Sequence, residues 1–348
     1  MSASILNWNS KFLFRTIATR KLNLRPLVSS FSSSASMNSI NSQSLEDWAS
    51  KAKTNKTVFR EVIDGVRLAH LRNTLFPYLP NNYPQISLDN STQEAALGQS
   101  LFPNSHLVYF WLHNPETELS KDGYFSGEAP PPPYVQRVWA GGELQFDTSN
   151  PLKVGQNAQL TMKIDSVVEK DRPVDSGGPI VLVSMSRTVE NDRGFSLKEI
   201  RNLAYMEKTN PTRKIIISTR LNAKNSDFSH SLTPTEILLF RYSALTWNSH
   251  RIHYDFNYST KIEKHPHNLV HGPLTCTLLL ELLRSNSPEG HTLANFNYRA
   301  ISPLYSNQPL SIHGKWLDES KLSCELFALN NEGGVAMSGK ATLNKTVS

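Results

Sequence analysis

Only two cysteines, Cys276 and Cys324, occur among the 348 residues. That is too few for a disulfide framework, and both lie in largely apolar segments, so buried free thiols in a reducing compartment are expected. Long apolar runs are missing as well: no window reaches the roughly 18 uninterrupted apolar residues that a membrane span requires. Acidic residues are absent from residues 1–45, where Lys11, Arg15, Arg20, Lys21 and Arg25 stand and the first acid is Glu46. The formal net charge of +6 is therefore mostly a property of the leader, and without those five the chain carries 31 basic against 30 acidic residues. A nucleic-acid-binding domain would keep a basic excess after that subtraction, and this chain does not.

The leader is rich in serine, with Ser29, Ser30, Ser32, Ser33, Ser34 and Ser36. At helical spacing Lys11, Arg15, Lys21 and Arg25 fall within an arc of about 120°, Arg20 excepted. Basic, serine-rich and acid-poor is the composition of an organelle-targeting presequence. Residues 1–36 are read as a transit peptide, removed near residues 30–37.

The remaining length suits two domains, since single cores rarely grow much beyond about 250 residues. Residues 45–73 carry helix formers with apolar positions at Trp48, Phe59, Val62, Ile63, Val66, Leu68 and Leu71, interrupted by Gly65, and predict one or two surface helices. Irregular chain follows over 77–98, and Pro130 to Pro133 in succession make 128–134 an extended connector. Alternating, β-branched runs at 135–146, 158–168, 180–189 and 197–206 predict an antiparallel sheet. The second part repeats the plan. A strand at 215–221, a helix at 235–246, an apolar helix from Gly272 or Pro273 and strands at 295–300, 309–316, 321–329 and 334–343 make an α+β architecture with one helix packed on a sheet in each half.

Between the two later helices lies the densest chemistry. His250, His253, His265, His267 and His271 are five of the chain's 11 histidines, and imidazole is the side chain that titrates naturally near neutral pH. HxxH followed by HxH on a loop, without a cysteine pair, is no recognised closed zinc site, so no metal is expected. Pro273 suits a first helical position. It leaves the Gly272 amide at the positive end of a helix, where an N–H stabilises charge developing on a carbonyl oxygen.

The segments WNSHRIHYD, LVHGPL and PLYSNQPLSIHG, with LVYFWLHNPETELSKDGYF and PPPPYVQRVWAGGELQF earlier in the chain, resemble the mitochondrial 3-hydroxyacyl-thioester dehydratase type 2 family and its mesaconyl-CoA and itaconyl-CoA hydratase relatives. The resemblance runs from about residue 45 onwards. It implies a MaoC-like double hot-dog fold, with a non-catalytic half at 45–208 that shapes the acyl pocket and a catalytic half at 209–348. It also implies cofactor-free, reversible dehydration of R-3-hydroxyacyl thioesters to trans-2-enoyl thioesters in mitochondrial fatty-acid synthesis, with acyl-carrier-protein or CoA thioesters as substrates. The expected location is the mitochondrial matrix, and the expected assembly a monomer whose two halves pair within the chain, or a homodimer.

Carried over residue by residue, His253 matches the catalytic histidine and Gly272 the glycine whose amide binds the thioester carbonyl. Asn248 departs from the pattern, because the broader R-specific hydratase motif has aspartate there and an amide cannot take a proton as a carboxylate can. Either Asn248 orients the water while His253 does all the acid and base work, the reading favoured here, or another acid such as Asp255 helps, although Asp255 could equally cap or pair with Arg251. His250, which replaces a motif asparagine, is the next candidate, and His271 is read as structural or substrate-adjacent. His265 and His267 are expected to be exposed. Trp247, Tyr254 and Tyr258 either line an acyl tunnel or simply pack. Two other functions stay open: hydration of a branched dicarboxylic CoA thioester, for which Arg251 and Arg299 are the candidate cations, and a non-catalytic scaffold that binds acyl thioesters or partner proteins.

Overall fold

The structure, a computed structural model, describes residues 35–125, 127–172, 178–207 and 225–345. The transit peptide expected at 1–36 falls almost wholly outside the described residues, as do the strand expected at 215–221 and the boundary expected at 208/209.

The described chain opens with α1 (Ala35–Thr54), β1 (Lys56–Val62) and α2 (Gly65–Leu75). One or two surface helices were expected here, and the structure differs on two counts. Residues 56–62 form a strand, paired along its length with β3 (Asn157–Lys170). Lys56, Arg60 and Glu61 break its apolar pattern although Thr57, Val58, Phe59 and Val62 favour a strand, because an edge strand is half solvated and needs little apolar pattern. Gly65 does not interrupt a helix but starts one: Asp64 caps α2 by accepting from the Arg67 amide, and a Cβ at Gly65 would lie 2.2 Å from the Ala95 carbonyl oxygen. Leu68, Leu71 and Leu75 are buried, so α2 is a core helix.

Then come β2 (Gln136–Phe146), β4 (Ile180–Asn191) and β5 (Gly194–Met206), followed by β6 (Phe228–Leu232), α3 (Glu236–Leu245) and α4 (Gly272–Asn286), and finally β7 (His291–Ala300), β8 (Leu310–Trp316), β9 (Ser323–Leu329) and β10 (Val335–Lys345). Apart from β1 and β6, these match the expected elements to within a few residues. The ten strands among the described residues form one antiparallel sheet in the order β1-β3-β4-β5-β2-β7-β10-β9-β8-β6. Outward from the centre, the order of the first five strands mirrors that of the second five.

The seam between the halves is the β2–β7 pair, and two glycines permit it. In β2 a bulge falls between Trp139 and Gly141, and Gly141 sits at φ +132°. A Cβ there would stand 2.3 Å from the Tyr298 carbonyl oxygen of β7, and one at Gly142 would stand 2.1 Å from the Ile200 carbonyl oxygen of β5. The chain is clasped by backbone on both sides, where only hydrogen fits.

α4 lies against β6, β8 and β9. Leu274, Leu278, Leu279, Leu280, Leu282 and Leu283 are all buried in it, each worth roughly 1.5–3 kcal/mol. The β1–β2 connection holds, besides α2, a short 3-10 turn at Ser105–Val108. Asn104, just before that turn, donates through its amide to the Thr277 hydroxyl (2.8 Å) and the Pro273 carbonyl (3.2 Å) of α4. Residues 77–98, read as irregular, are anchored by buried Leu79, Tyr83, Ile86 and Ala95.

Candidate active site

The histidine loop begins where α3 ends. Thr246 closes that helix by donating its hydroxyl to the Tyr242 carbonyl, and Trp247 turns the chain in the left-handed region at φ +51°. The Asn248 side-chain carbonyl then accepts from the His250 amide at 3.1 Å, the local turn for which Asn and Asp side chains are suited. A 3-10 turn, Arg251–His253, delivers His253 inward.

His253 is buried, and its Nδ1 lies 2.9 Å from the Leu269 carbonyl oxygen. A carbonyl only accepts, so Nδ1 carries the proton and Nε2 keeps its lone pair. Burial, then the neighbouring His271 and His250, push the pKa of His253 well below 6.5. The ring is therefore a neutral base at physiological pH.

His271 is buried too, with Nε2 2.8 Å from the Ser243 hydroxyl and the ring stacked on His253. Burial lowers its pKa to about 3. It is the N-cap residue of α4, whose start no side chain caps. Next to it, Gly272 lies under Trp139 of β2: a Cβ would come within 3.2 Å of the indole Cγ. Trp139 is fixed in turn by donating Nε1–H to the Tyr298 hydroxyl at 3.2 Å. A neutral imidazole, the uncapped end of a 15-residue helix and a glycine roofed by an aromatic thus converge, the last contributed by the first half.

His250 meets the first half directly. Its Nε2 is 3.3 Å from Asp122 Oδ2, and its ring stands edge-on to His253 with centroids 5.5 Å apart. Burial holds the His250 pKa below 6.5, and Asp122 offsets only part of that fall. Burial alone would raise Asp122, yet the His250 hydrogen bond, Arg137 and Ser120 hold it well below the usual carboxylate range. Asp122 was not singled out from the sequence. It lies inside one of the segments that carry the resemblance, but no spacing rule joins two positions so far apart in the chain.

The other candidates separate. Both carboxylate oxygens of Asp255 are engaged, Oδ2 with Arg251 (2.7 Å) and Oδ1 with the Tyr258 amide (2.9 Å). His265 and His267, expected to be exposed, are half-buried. His267 Nδ1 accepts from the Ser306 hydroxyl (2.6 Å) and the Asn268 amide (3.0 Å). Among the described residues no group of three or more His, Cys, Asp or Glu is placed to hold a metal ion. Trp247 is exposed and stacked on Trp111 at 5.4 Å, and Tyr254 is exposed. Tyr258 donates its hydroxyl to Glu263. Arg299 is exposed on β7, and Arg251 carries its ion pair to Asp255 at the surface. Arg187 is buried on β4, and the side chains of Arg201 on β5 and Arg137 on β2 are largely buried. Arg187 and Arg201 form one cluster. They gather about Glu199, with Arg201 Nε 2.5 Å and Arg187 Nε 3.7 Å from its oxygens, and the Arg201 guanidinium lies over Trp139 at 5.2 Å. Cys276 and Cys324 are both buried and free.

A family model described as hydroxyacyl-thioester dehydratase type 2 matches residues 104–306. The mitochondrial hydroxyacyl-thioester dehydratase type 2 of Schizosaccharomyces pombe is 29% identical over 281 residues, 74% of this chain and 89% of that protein. The mesaconyl-C(4)-CoA hydratase of Chloroflexus aurantiacus is 32% identical over 212 residues, 60% of this chain and 73% of that one. Among solved structures, a MaoC-like dehydratase from Phytophthora capsici superposes with a TM-score of 0.60 at 12% identity, covering 88% of this chain and all of that one. That likeness concerns the fold alone and agrees with the double hot-dog expectation.

Proposed function

Since the chain belongs to the hydroxyacyl-thioester dehydratase type 2 family, we propose how its geometry carries out that family's hydro-lyase reaction. The enzyme dehydrates 3-hydroxyacyl thioesters to 2-enoyl thioesters, and the observation that carries the proposal is the His253 ring. It is neutral, held at Nδ1 by the Leu269 carbonyl, and presents a free Nε2 beside the start of α4.

Removing a proton from the carbon next to the thioester carbonyl builds charge on that oxygen. The amide of Gly272, at the positive end of α4, is the donor for it, and the absent side chain lets the carbonyl approach beneath Trp139. His253 Nε2 takes the proton and passes it to the departing hydroxyl, so one imidazole serves as base and acid in turn. Asn248 holds the water, its amide nitrogen left for that use while its carbonyl oxygen is bonded to the loop. His271 keeps the His253 ring in plane by stacking and does not itself exchange protons. Preorganised pieces of this kind are worth about 10²–10⁴ in rate for the general base and about 10²–10³ for the oxyanion donor.

The physiological reading is dehydration of R-3-hydroxyacyl intermediates of mitochondrial fatty-acid synthesis in the matrix, on acyl-carrier protein or CoA. The relatives named mitochondrial and the basic, serine-rich leader support it. The paired halves support a hot-dog unit complete in one chain, as a monomer or as the building block of a homodimer.

The test is hydration of crotonyl-CoA by the purified protein, followed by loss of enoyl absorbance with product handedness scored, beside His253→Ala. R-specific turnover that the substitution lowers by about 10²-fold or more supports the reading. Turnover unaffected by His253→Ala refutes it, and a well-folded protein inert on every enoyl thioester points to a scaffold. A second reading, hydration of a branched dicarboxylic CoA thioester, draws support from Arg201, a largely buried cation over Trp139, and from the mesaconyl-C(4)-CoA hydratase relative. A kcat/KM for mesaconyl-CoA above that for crotonyl-CoA selects it.

A further inference from the structure

Dehydration moves two protons, one from carbon and one to oxygen, and the mechanism above gives both to His253. Asn248 offers no carboxylate, and its carbonyl oxygen is bonded to the His250 amide. Yet a carboxylate does reach this site, from the other half of the molecule. We propose that Asp122 is the carboxylate of this active site and acts through His250, which donates the proton to the departing hydroxyl while His253 takes the proton from carbon. The proposal rests on the dehydratase reading above.

The geometry is built rather than incidental. Asp122 Oδ2 lies 3.3 Å from His250 Nε2, and both side chains are largely buried. The backbones are joined at the same place: the Arg251 amide donates to the Asp122 carbonyl at 2.8 Å, and the Ser249 hydroxyl donates to the Gly123 carbonyl. Gly123 sits at φ +82°, and a Cβ there would stand 2.2 Å from the Ser249 carbonyl oxygen, so the two loops meet at a point only glycine allows. Asp122 is itself held by the Tyr124 amide at 3.2 Å, the Ser120 hydroxyl and Arg137 at 3.4 Å. The groups facing His250 are Asp122, Arg137, Glu263, the edge-on ring of Tyr124, His253 and, further off, His265 and His271. Of these, Asp122 is the one anion in hydrogen-bonding reach, so it stabilises the imidazolium.

With Nε2–H committed to Asp122, Nδ1 is the exchanging nitrogen. Dehydration runs from the form with His250 imidazolium, Asp122 carboxylate and neutral His253, the minority form at neutral pH because burial holds the His250 pKa below 6.5. The C2 proton passes to His253 Nε2, and its bonding pair becomes the C2–C3 double bond as the C3–O bond breaks. The oxygen leaves as water with the Nδ1 proton of His250. His253 is then charged and His250 neutral, and a water carries the proton back. Hydration runs the same steps in reverse. Asp122 is a positioning residue here, and His250 the catalytic one.

The experiment is dehydration of R-3-hydroxybutyryl-CoA across pH by the purified protein and by the Asp122→Asn, His250→Asn and His253→Ala variants, each checked for folding by thermal melt. Asp122→Asn and His250→Asn are expected to lower kcat about 10²-fold with little change in KM. The alkaline limb of the pH profile, where His250 loses its proton, should move to lower pH in Asp122→Asn because the anion that stabilised the imidazolium is gone, and a purely structural role would leave that limb in place. If Asp122→Asn fails to fold, His250→Asn decides alone, since it leaves the bonds of Asp122 to Ser120, Tyr124 and Arg137 intact. Should folded variants at both positions keep kcat within about 3-fold and the parental pH profile while His253→Ala is inactive, the proposal is overturned and the dehydratase reading stands. Turnover that survives His253→Ala overturns both.

Discussion

His253 and His271 lie ring on ring, their centroids 3.7 Å apart and their planes within 19° of parallel. Two imidazoles so close and so buried cannot both be charged, and neither is, since each is pushed far below 6.5, chiefly by burial. The stack gives the site a base that is always unprotonated when needed, at the cost of acid sensitivity.

That sensitivity has a definite sign. In the unfolded chain both rings titrate near 6.5, whereas in the folded chain His271 does so at about 3 and His253 is also far lower. Below pH 6.5 the unfolded state therefore binds more protons. The stability due to the neutral rings is fully present above pH 6.5 and is lost as pH falls towards the folded values, by ~1.4 kcal/mol per pH unit for each ring. Urea unfolding at pH 7, 6 and 5 measures this slope. His271→Gln should reduce it, and an unchanged slope would show that the pair is not responsible.

Gly272→Ala asks whether the space under Trp139 is for substrate. The added methyl would sit 3.2–3.3 Å from indole atoms, a squeeze that a small tilt of the ring relieves. The expected outcome is a melting temperature within a few degrees of the parent and a fall in kcat/KM of roughly 10²-fold, because displacement at a reacting centre by about 1 Å is costly. Steady-state kinetics beside a thermal melt would separate the two effects.

Removing Glu199 should unfold far more than it inactivates. Its carboxylate binds Arg201 at 2.5 Å, Arg187 at 3.7 Å and His106 at 3.1 Å inside the first half. Glu199→Ala would take away the anion that pairs with Arg201 and Arg187, leaving them the more distant Glu128, and cost about 3–5 kcal/mol. Adding Arg187→Met and Arg201→Met should recover part of that loss in denaturant unfolding. A single variant as stable as the parent would mean that the cluster is hydrated.

Neither thiol should react while the chain is folded. Cys276 and Cys324 are both fully buried, and burial pushes Cys276 well up and Cys324 to about 12, which removes the reactive thiolate. A thiol-specific chromogenic reagent should label both only at the rate of unfolding. Fast labelling of either in the native protein contradicts this.

Much of this was legible in the order of residues. Alternation and β-branching place eight strands, and a proline just after glycine at an apolar run marks the start of α4, because these are local signals with fixed periods. The same sequence singles out His253, Asn248 and Gly272, which lie on one continuous stretch around that helix start. It missed β1 and β6, because edge strands in contact with water need no apolar alternation. Of the roles the sequence leaves open to Asp255, the structure shows the pairing with Arg251.

What only the tertiary structure decided is whatever crosses from one half to the other. The neutral state of His253 depends on burial beneath its neighbours. Trp139 reaches Gly272 because Gly141 and Gly142 let β2 lie against β7. Asp122 reaches His250 because Gly123 lets two loops touch. Local sequence fixes a residue's periodicity and its options for a partner, but the partner itself is chosen by packing, through contacts that no pattern along the chain encodes.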